Sequence, residues 1–154
     1  QIIEMKLTAK ATIQIQKPIN SVFEAIIDPT KMNQYFIESS TGKLETDKTV
    51  EWKFPEFDEL YPVVGKIIRK DEYISFDWSG GKQNMLVEIV LEKQTDDSTV
   101  VKIVEHEMND NEAGIKQVIG QTEGWANFLA SLKAYLEYGI NLRKGAFDFY
   151  KTTK

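Results

Sequence analysis

Residues 124–139 read GWANFLASLKAYLEYG, and this stretch decides the fold because it predicts one long amphipathic helix near the C-terminus. Large apolar side chains recur at positions i, i+4, i+7 and i+11, namely Trp125, Leu129, Leu132 and Leu136. That spacing places them on one face of an α-helix. Gly139 stands where a helix-ending glycine belongs, and residues 109–111 (Asn-Asp-Asn) offer three alternative caps for the beginning. Gly120 and Gly124 predict a close backbone approach or a kink in the first half.

Upstream of this helix, the chain begins with a strand and two short helices. Residues 5–16 alternate apolar and polar side chains, which is the period of a strand with one buried face. The apolar set is Met5, Leu7, Ala9, Ala11, Ile13 and Ile15. Pro18 suits the first turn of a helix over about residues 18–27, and Asp28-Pro29 repeats that start signal. The second short helix would carry Met32, Tyr35 and Phe36.

The middle of the chain predicts consecutive strands joined by short polar turns. Extended segments cover residues 50–54, 60–70, 74–78, 85–91 and 99–107. Turn residues separate them, among them Ser79-Gly80-Gly81 and residues 95–98, and Gly65 marks a possible bulge. Strands that follow one another in this way form an antiparallel sheet rather than a parallel one. We therefore expect an α+β protein with about seven strands, counting the first.

Composition limits the kinds of partner. The 154 residues fit one domain spanning 1–154. With 19 basic and 24 acidic residues the net charge is −5, which opposes binding to nucleic acid, and no apolar stretch is long enough to span a membrane. The chain has no cysteine, so it forms no disulfide and no thiolate metal site, and we expect a cytoplasmic protein.

The order of these elements, together with three sequence segments, resembles the SRPBCC superfamily. Residues 17–29 (KPINSVFEAIIDP) resemble the opening proline, the valine–aromatic pair and the aspartate–proline boundary of the heat-shock-protein ATPase activator homologue family. Tyr35-Phe36 stands where that family has a tryptophan with another aromatic residue. Gly124-Trp125, with the leucines that follow, resembles its glycine–tryptophan helix. The resemblance covers essentially the whole chain.

The resemblance implies the helix-grip fold, also found in START domains and the birch-pollen allergen. In that fold a strongly bent antiparallel sheet holds the long C-terminal helix in its concave face, and many members bind apolar ligands between the two. Side chains whose periodicity points them toward this space are Trp52, Phe54, Phe76, Trp78, Met85, Val87, Trp125, Phe128, Leu129 and Leu132. They either form a ligand pocket or interdigitate as a filled core. Each tryptophan, when buried, needs a partner for its indole N–H.

Polar residues give no recognisable catalytic or metal site. His106 is the only histidine, and strand alternation predicts that Glu105 and Glu107 lie on the opposite face from it. We expect no metal and no cofactor. Acidic groups such as Glu56/Asp58/Glu59 are expected to be solvated turn charges.

Three functions remain open at this level. The first is a module that binds a small apolar or amphipathic ligand, and the second is a protein-interaction or co-chaperone-like domain with a chaperone as partner. The third is a cyclase or hydrolase that uses the same pocket. Polar candidates for such an enzyme are few: Asp77, His106, Glu51, Tyr35 and Tyr61.

Overall fold

The sheet and helices form in the predicted order. The computed structural model describes residues 6–79 and 85–151. The strands are β1 (Lys6–Ile15), β2 (Ser39–Ser40), β3 (Thr49–Lys53), β4 (Leu60–Arg69), β5 (Tyr73–Asp77), β6 (Leu86–Thr95) and β7 (Ser98–Asn109). The helices are α1 (Ile19–Ile27), α2 (Pro29–Met32) and α3 (Glu112–Tyr138), and a 3-10 turn covers Asp148–Lys151.

Every pair of neighbouring strands is antiparallel, and the sheet order is β1-β7-β6-β5-β4-β3-β2. Strands β2 to β7 lie side by side in the order in which they follow one another along the chain, and the first strand, β1, pairs with β7. Helix α3 packs against β1 and β7 on the concave face. The α+β helix-grip architecture predicted from the sequence is therefore confirmed.

The concave face is built from buried rows of side chains that run across neighbouring strands. Phe76 of β5 lies opposite Val87 of β6, which in turn lies opposite Glu105 of β7. One step along the sheet, Ile74, Ile89 and Ile103 form the next row. All six side chains are nearly or fully buried, as alternation in a sheet with one covered face requires.

The helix boundaries follow local chemistry. Asn111 caps α3 by accepting a hydrogen bond from the Gly114 N–H at 2.8 Å, which settles the choice among the three candidates. Gly139 ends the helix in the left-handed conformation with φ 66°. Helix α3 is continuous, and a Cβ on Gly120 or Gly124 would meet no atom within 4 Å, so the predicted close approach is wrong at both positions.

Two other local predictions need correction. Helix α2 ends at Met32, so Tyr35 and Phe36 lie in the turn after it. The pairing of β1 with β7 shifts register between Leu7 and Ala9, which interrupts the alternation of β7. Beyond this bulge Met108 is buried and Glu107 exposed, so Glu107 does not share a face with the buried Glu105. Met5 and Gly80-Gly81 fall outside the described residues.

The bulge predicted at Gly65 is present, and the glycine is required there. The register shifts between Gly65 and Ile67, and the loop before β3 lies directly against this point. Gly65 N–H donates to the Lys48 carbonyl at 2.8 Å, and a Cβ on Gly65 would lie 2.1 Å from the Glu45 carbonyl oxygen. Only a residue without a side chain fits between the two backbones.

We predict that Gly65→Ala lowers the free energy of unfolding by about 1–3 kcal/mol, because backbone atoms rather than a flexible side chain oppose the new methyl group. Gly120→Ala is the matched control. It adds the same methyl group in a helix with open space around it and should stabilise by about 1 kcal/mol. Urea unfolding of both variants measures the difference, and equal effects would contradict the account.

Candidate functional site

A fully buried carboxylate joins the sheet to the long helix. Glu105 Oε1 accepts a hydrogen bond from Trp125 Nε1 at 2.7 Å, and Glu105 Oε2 accepts one from Trp78 Nε1 at 3.0 Å. Gln121 Nε2 lies 2.9 and 3.1 Å from the two oxygens. These three donors are uncharged, and together they satisfy both carboxylate oxygens.

Three separate elements bring these donors together. Glu105 points to the concave face because it continues the alternation of Ile103 along β7. Gln121 and Trp125 are four residues apart, so they share one face of α3, and Trp78 directly follows β5. The predicted need for indole partners is met for two of the three tryptophans. Trp52 Nε1 is buried without a hydrogen-bond partner.

Aromatic side chains surround Trp125 and extend toward β3. The ring centroid of Trp125 lies 5.3 Å from that of Phe128 and 5.6 Å from that of Trp78. Phe36 continues the cluster, with its centroid 4.7 Å from Phe128 and 5.4 Å from Phe54, both edge to face. Such contacts add stability beyond burial alone and hold the rings in defined orientations.

An open cavity of about 440 Å³ lies beside this cluster, and we call it the aromatic cleft. Helix α3, the connection between β3 and β4, and the segment after Gly139 form its walls. Nine aromatic residues line it: Phe36, Phe54, Phe57, Tyr61, Trp78, Trp125, Phe128, Phe147 and Tyr150. Its other lining residues are Glu56, Gln121, Gly124, Asn127, Ser131 and Arg143.

The charged residues that line the aromatic cleft neutralise each other. Arg143 donates to Glu56 through both terminal nitrogens, at 2.9 and 3.1 Å. The Arg143 guanidinium also lies 5.4 Å from the Phe54 ring and 5.0 Å from the Phe147 ring. Only 2% of the Glu56 side chain and 16% of the Arg143 side chain are exposed. The prediction of a solvated turn charge is therefore wrong for Glu56, because a residue 87 positions away covers it.

The predicted ligand residues divide into three groups. Four line the aromatic cleft: Phe54, Trp78, Trp125 and Phe128. Five are buried in the filled core: Trp52, Phe76, Val87, Leu129 and Leu132. Met85 precedes β6, is half-buried and does not line the cleft. Contact of any of them with a ligand stays a prediction.

Tyr61 was predicted only as a polar candidate for an enzyme that uses the pocket. It lies opposite Trp52 on the neighbouring strand, so alternation along β4 carried a signal for it. Other cleft residues were not found from the sequence. Phe57, Phe147 and Tyr150 lie in irregular segments whose positions no periodicity predicts. The Arg143–Glu56 pair depends on how the segment after α3 folds back, which leaves no local pattern.

Comparison with known proteins agrees with this architecture. The sequence pattern of the family described as "Activator of Hsp90 ATPase homolog 1-like protein" matches residues 16–137. The chain belongs to this family. The resemblance predicted from the sequence is thereby confirmed, and Arg143 lies beyond the matched residues.

Several solved structures share the fold of this activator-homologue domain. Protein SSP2350 from Staphylococcus saprophyticus is 29% identical with a TM-score of 0.78, over 89% of this chain and 96% of that one. The Aha1 dimer from Colwellia psychrerythraea is 15% identical with a TM-score of 0.74, over 86% and 98%. DynU16, from the dynemicin biosynthetic locus, is 19% identical with a TM-score of 0.75, over 86% and 48%. No curated protein matches the sequence significantly.

On the opposite, convex face of the activator-homologue domain, His106 belongs to a separate polar group. One His106 ring nitrogen lies 2.6 Å from Glu88 Oε1, and the Tyr73 hydroxyl donates to Glu88 Oε2 at 2.5 Å. The hydrogen bond from Tyr73, assisted by His106, lowers the pKa of the Glu88 carboxyl. Within residues 6–79 and 85–151 no three potential metal ligands cluster.

The polar candidates for catalysis do not converge. Tyr61 lines the aromatic cleft, where its hydroxyl donates to Glu59 at 3.2 Å. Tyr35 is buried in the core, where its hydroxyl donates to the Ala25 carbonyl at 2.7 Å and burial raises its pKa well above the usual value. Asp77 accepts hydrogen bonds from Ser79, and Glu51 is exposed on β3.

Among the described residues, no helix combines the length and apolar character needed to cross a membrane.

We predict that Glu105→Gln lowers the free energy of unfolding by about 1–3 kcal/mol. Glutamine offers one carbonyl oxygen in place of two carboxylate oxygens, and its amide N–H groups would face the indole donors. Thermal unfolding followed by tryptophan emission measures the loss. Glu107→Gln is the control, since this exposed neighbour should change stability by less than about 0.5 kcal/mol. Equal, small effects at both positions would contradict the anchoring role of Glu105.

Proposed function

We propose that this activator-homologue domain is a cytoplasmic binding module that holds a small apolar or amphipathic molecule in the aromatic cleft. One observation carries the proposal. The helix–sheet interface is filled around Leu129 and Leu132, yet a space of about 440 Å³ stays open beside Trp125 and Phe128. That volume falls within the range of about 300–1,000 Å³ usual for small-molecule sites.

The chemistry of the walls supports an uncharged or weakly polar ligand. Aromatic rings make up most of the lining, and apolar ligands gain binding free energy in proportion to the area they bury on such surfaces. Glu56 and Arg143 are bound to each other, so neither presents an unpaired charge. The side-chain amide of Gln121 already donates a hydrogen bond to Glu105. Asn127 and Ser131 of α3 also line the space and supply polar groups for the head of an amphipathic ligand.

Gly124 provides a direct test, because it lines the cleft and open space surrounds its position. We expect the neutral dye N-phenyl-1-naphthylamine to bind the unmodified domain with enhanced emission. Gly124→Leu places four carbons in the cleft without a backbone clash and should weaken dye binding at least about tenfold, since the new side chain occupies volume that the dye would otherwise fill. Fluorescence titration measures both dissociation constants.

Gly120→Leu is the matched control for this test. Gly120 lies one turn earlier on α3, also has open space around it, and does not line the cleft. Its dye affinity should stay within about twofold of the unmodified domain, while both leucines stabilise the helix relative to glycine. Equal affinities in the two variants would show that the dye binds elsewhere and would overturn the proposed site.

Membership of the Activator of Hsp90 ATPase homolog 1-like family favours a second candidate, a protein-interaction or co-chaperone-like role. Exposed apolar residues near the end of α3 offer a surface for it, with Tyr138 69%, Ile140 53% and Leu142 51% exposed. Measuring chaperone ATP hydrolysis alongside dye binding distinguishes the two candidate functions. Faster ATP hydrolysis by an Hsp90-class chaperone on addition of the domain, without any dye binding, would favour the second.

A further inference from the structure

The Arg143–Glu56 pair lines the aromatic cleft and also a second cavity. This second cavity has a volume of about 290 Å³, and Asn33, Asn141 and Gly145 are among its other lining residues. Phe36, Glu56 and Arg143 line both spaces. The two cavities are therefore neighbours that share a wall containing the ion pair.

The contacts of the Arg143–Glu56 pair hold it rigidly, as a partition between the two cavities requires. Two parallel N–H to oxygen contacts hold the guanidinium in the plane of the carboxylate, which is the most directional arrangement available to an arginine. The Phe54 and Phe147 rings flank the guanidinium. Because the Glu56 side chain is almost completely buried, separating the charges would leave a poorly solvated carboxylate. The partition therefore resists displacement by a weakly bound apolar chain.

We propose that the Arg143–Glu56 pair determines specificity by limiting the length of ligand that the aromatic cleft accepts. This inference rests on the proposed binding function and adds the residues that set its size limit. Glu56 lies within residues 16–137, the part that matches the family pattern, and Arg143 lies beyond it in the C-terminal segment. Removal of both side chains joins the two cavities into one longer space.

Straight-chain primary alcohols of increasing length test the proposal, with displacement of N-phenyl-1-naphthylamine as the measurement. In the unmodified domain each added methylene should tighten binding about fourfold until the chain fills the cleft, after which affinity stops rising. In Glu56→Ala/Arg143→Ala the rise should continue for at least two more carbons. The alcohol two carbons beyond the original limit would then bind at least about tenfold more tightly than to the unmodified domain.

Two further double variants provide a substitute for the double alanine variant and a control. Glu56→Gln/Arg143→Ala retains a polar side chain at position 56 and should shift the limit in the same way if the double alanine variant does not fold. Glu92→Ala/Lys102→Ala removes a different ion pair, with Nζ and Oε2 3.0 Å apart on the convex face, and should leave the limit unchanged.

The possible outcomes distinguish a failure of the partition from a failure of the proposed binding function. Dye binding with the same chain-length limit in the folded Glu56/Arg143 variants would overturn the partition and leave the binding function standing. Failure of the dye and of every alcohol to bind the unmodified domain would overturn the proposed function, and the partition with it.

Discussion

A carboxylate removed from water must have its oxygens hydrogen-bonded, and this requirement at Glu105 organises the helix–sheet contact. Its donors come from two elements that are distant in sequence, the end of β5 at Trp78 and the middle of α3 at Gln121 and Trp125. Hydrophobic contact alone would allow α3 to slide along the concave face, because apolar attraction has little directional preference. The indole hydrogen bonds are directional, and they fix which turn of α3 lies over β7.

Helix α3 packs against a filled core along one part of its length and lines the open aromatic cleft along another. Toward the C-terminal end of α3, Leu129 and Leu132 are buried as part of the hydrophobic core. Around Trp125 and Phe128 the aromatic rings are held edge to face with Phe36, and one side of them faces the cleft. The segment after Gly139 then folds back, and Arg143 reaches the β3–β4 connection at Glu56.

The sequence predicted the elements that carry a strong period and missed those that depend on distant contacts. Alternation in β1 and in the middle strands predicted the sheet, and the spacing of Trp125, Leu129 and Leu132 predicted the long helix. The way the two pack was implied by the family resemblance. The same reasoning placed Trp52 and Phe76 on the concave face but could not distinguish filled core from open cleft, since both use apolar side chains. Nothing local in the sequence distinguishes Glu105 from other strand residues, because its indole partners lie 20 and 27 positions away. Glu56 looked like a turn charge because its partner, Arg143, is 87 positions away.

We infer that a ligand enters beside the two indoles bound to Glu105 and not into the core around Trp52. Two-dimensional NMR of the indole N–H groups, during titration with N-phenyl-1-naphthylamine, measures this for all three tryptophans at once. We expect the Trp78 and Trp125 signals to shift with the dye concentration while the Trp52 signal stays in place. A shift confined to Trp52, or saturable dye binding that moves none of the three signals, would contradict the account.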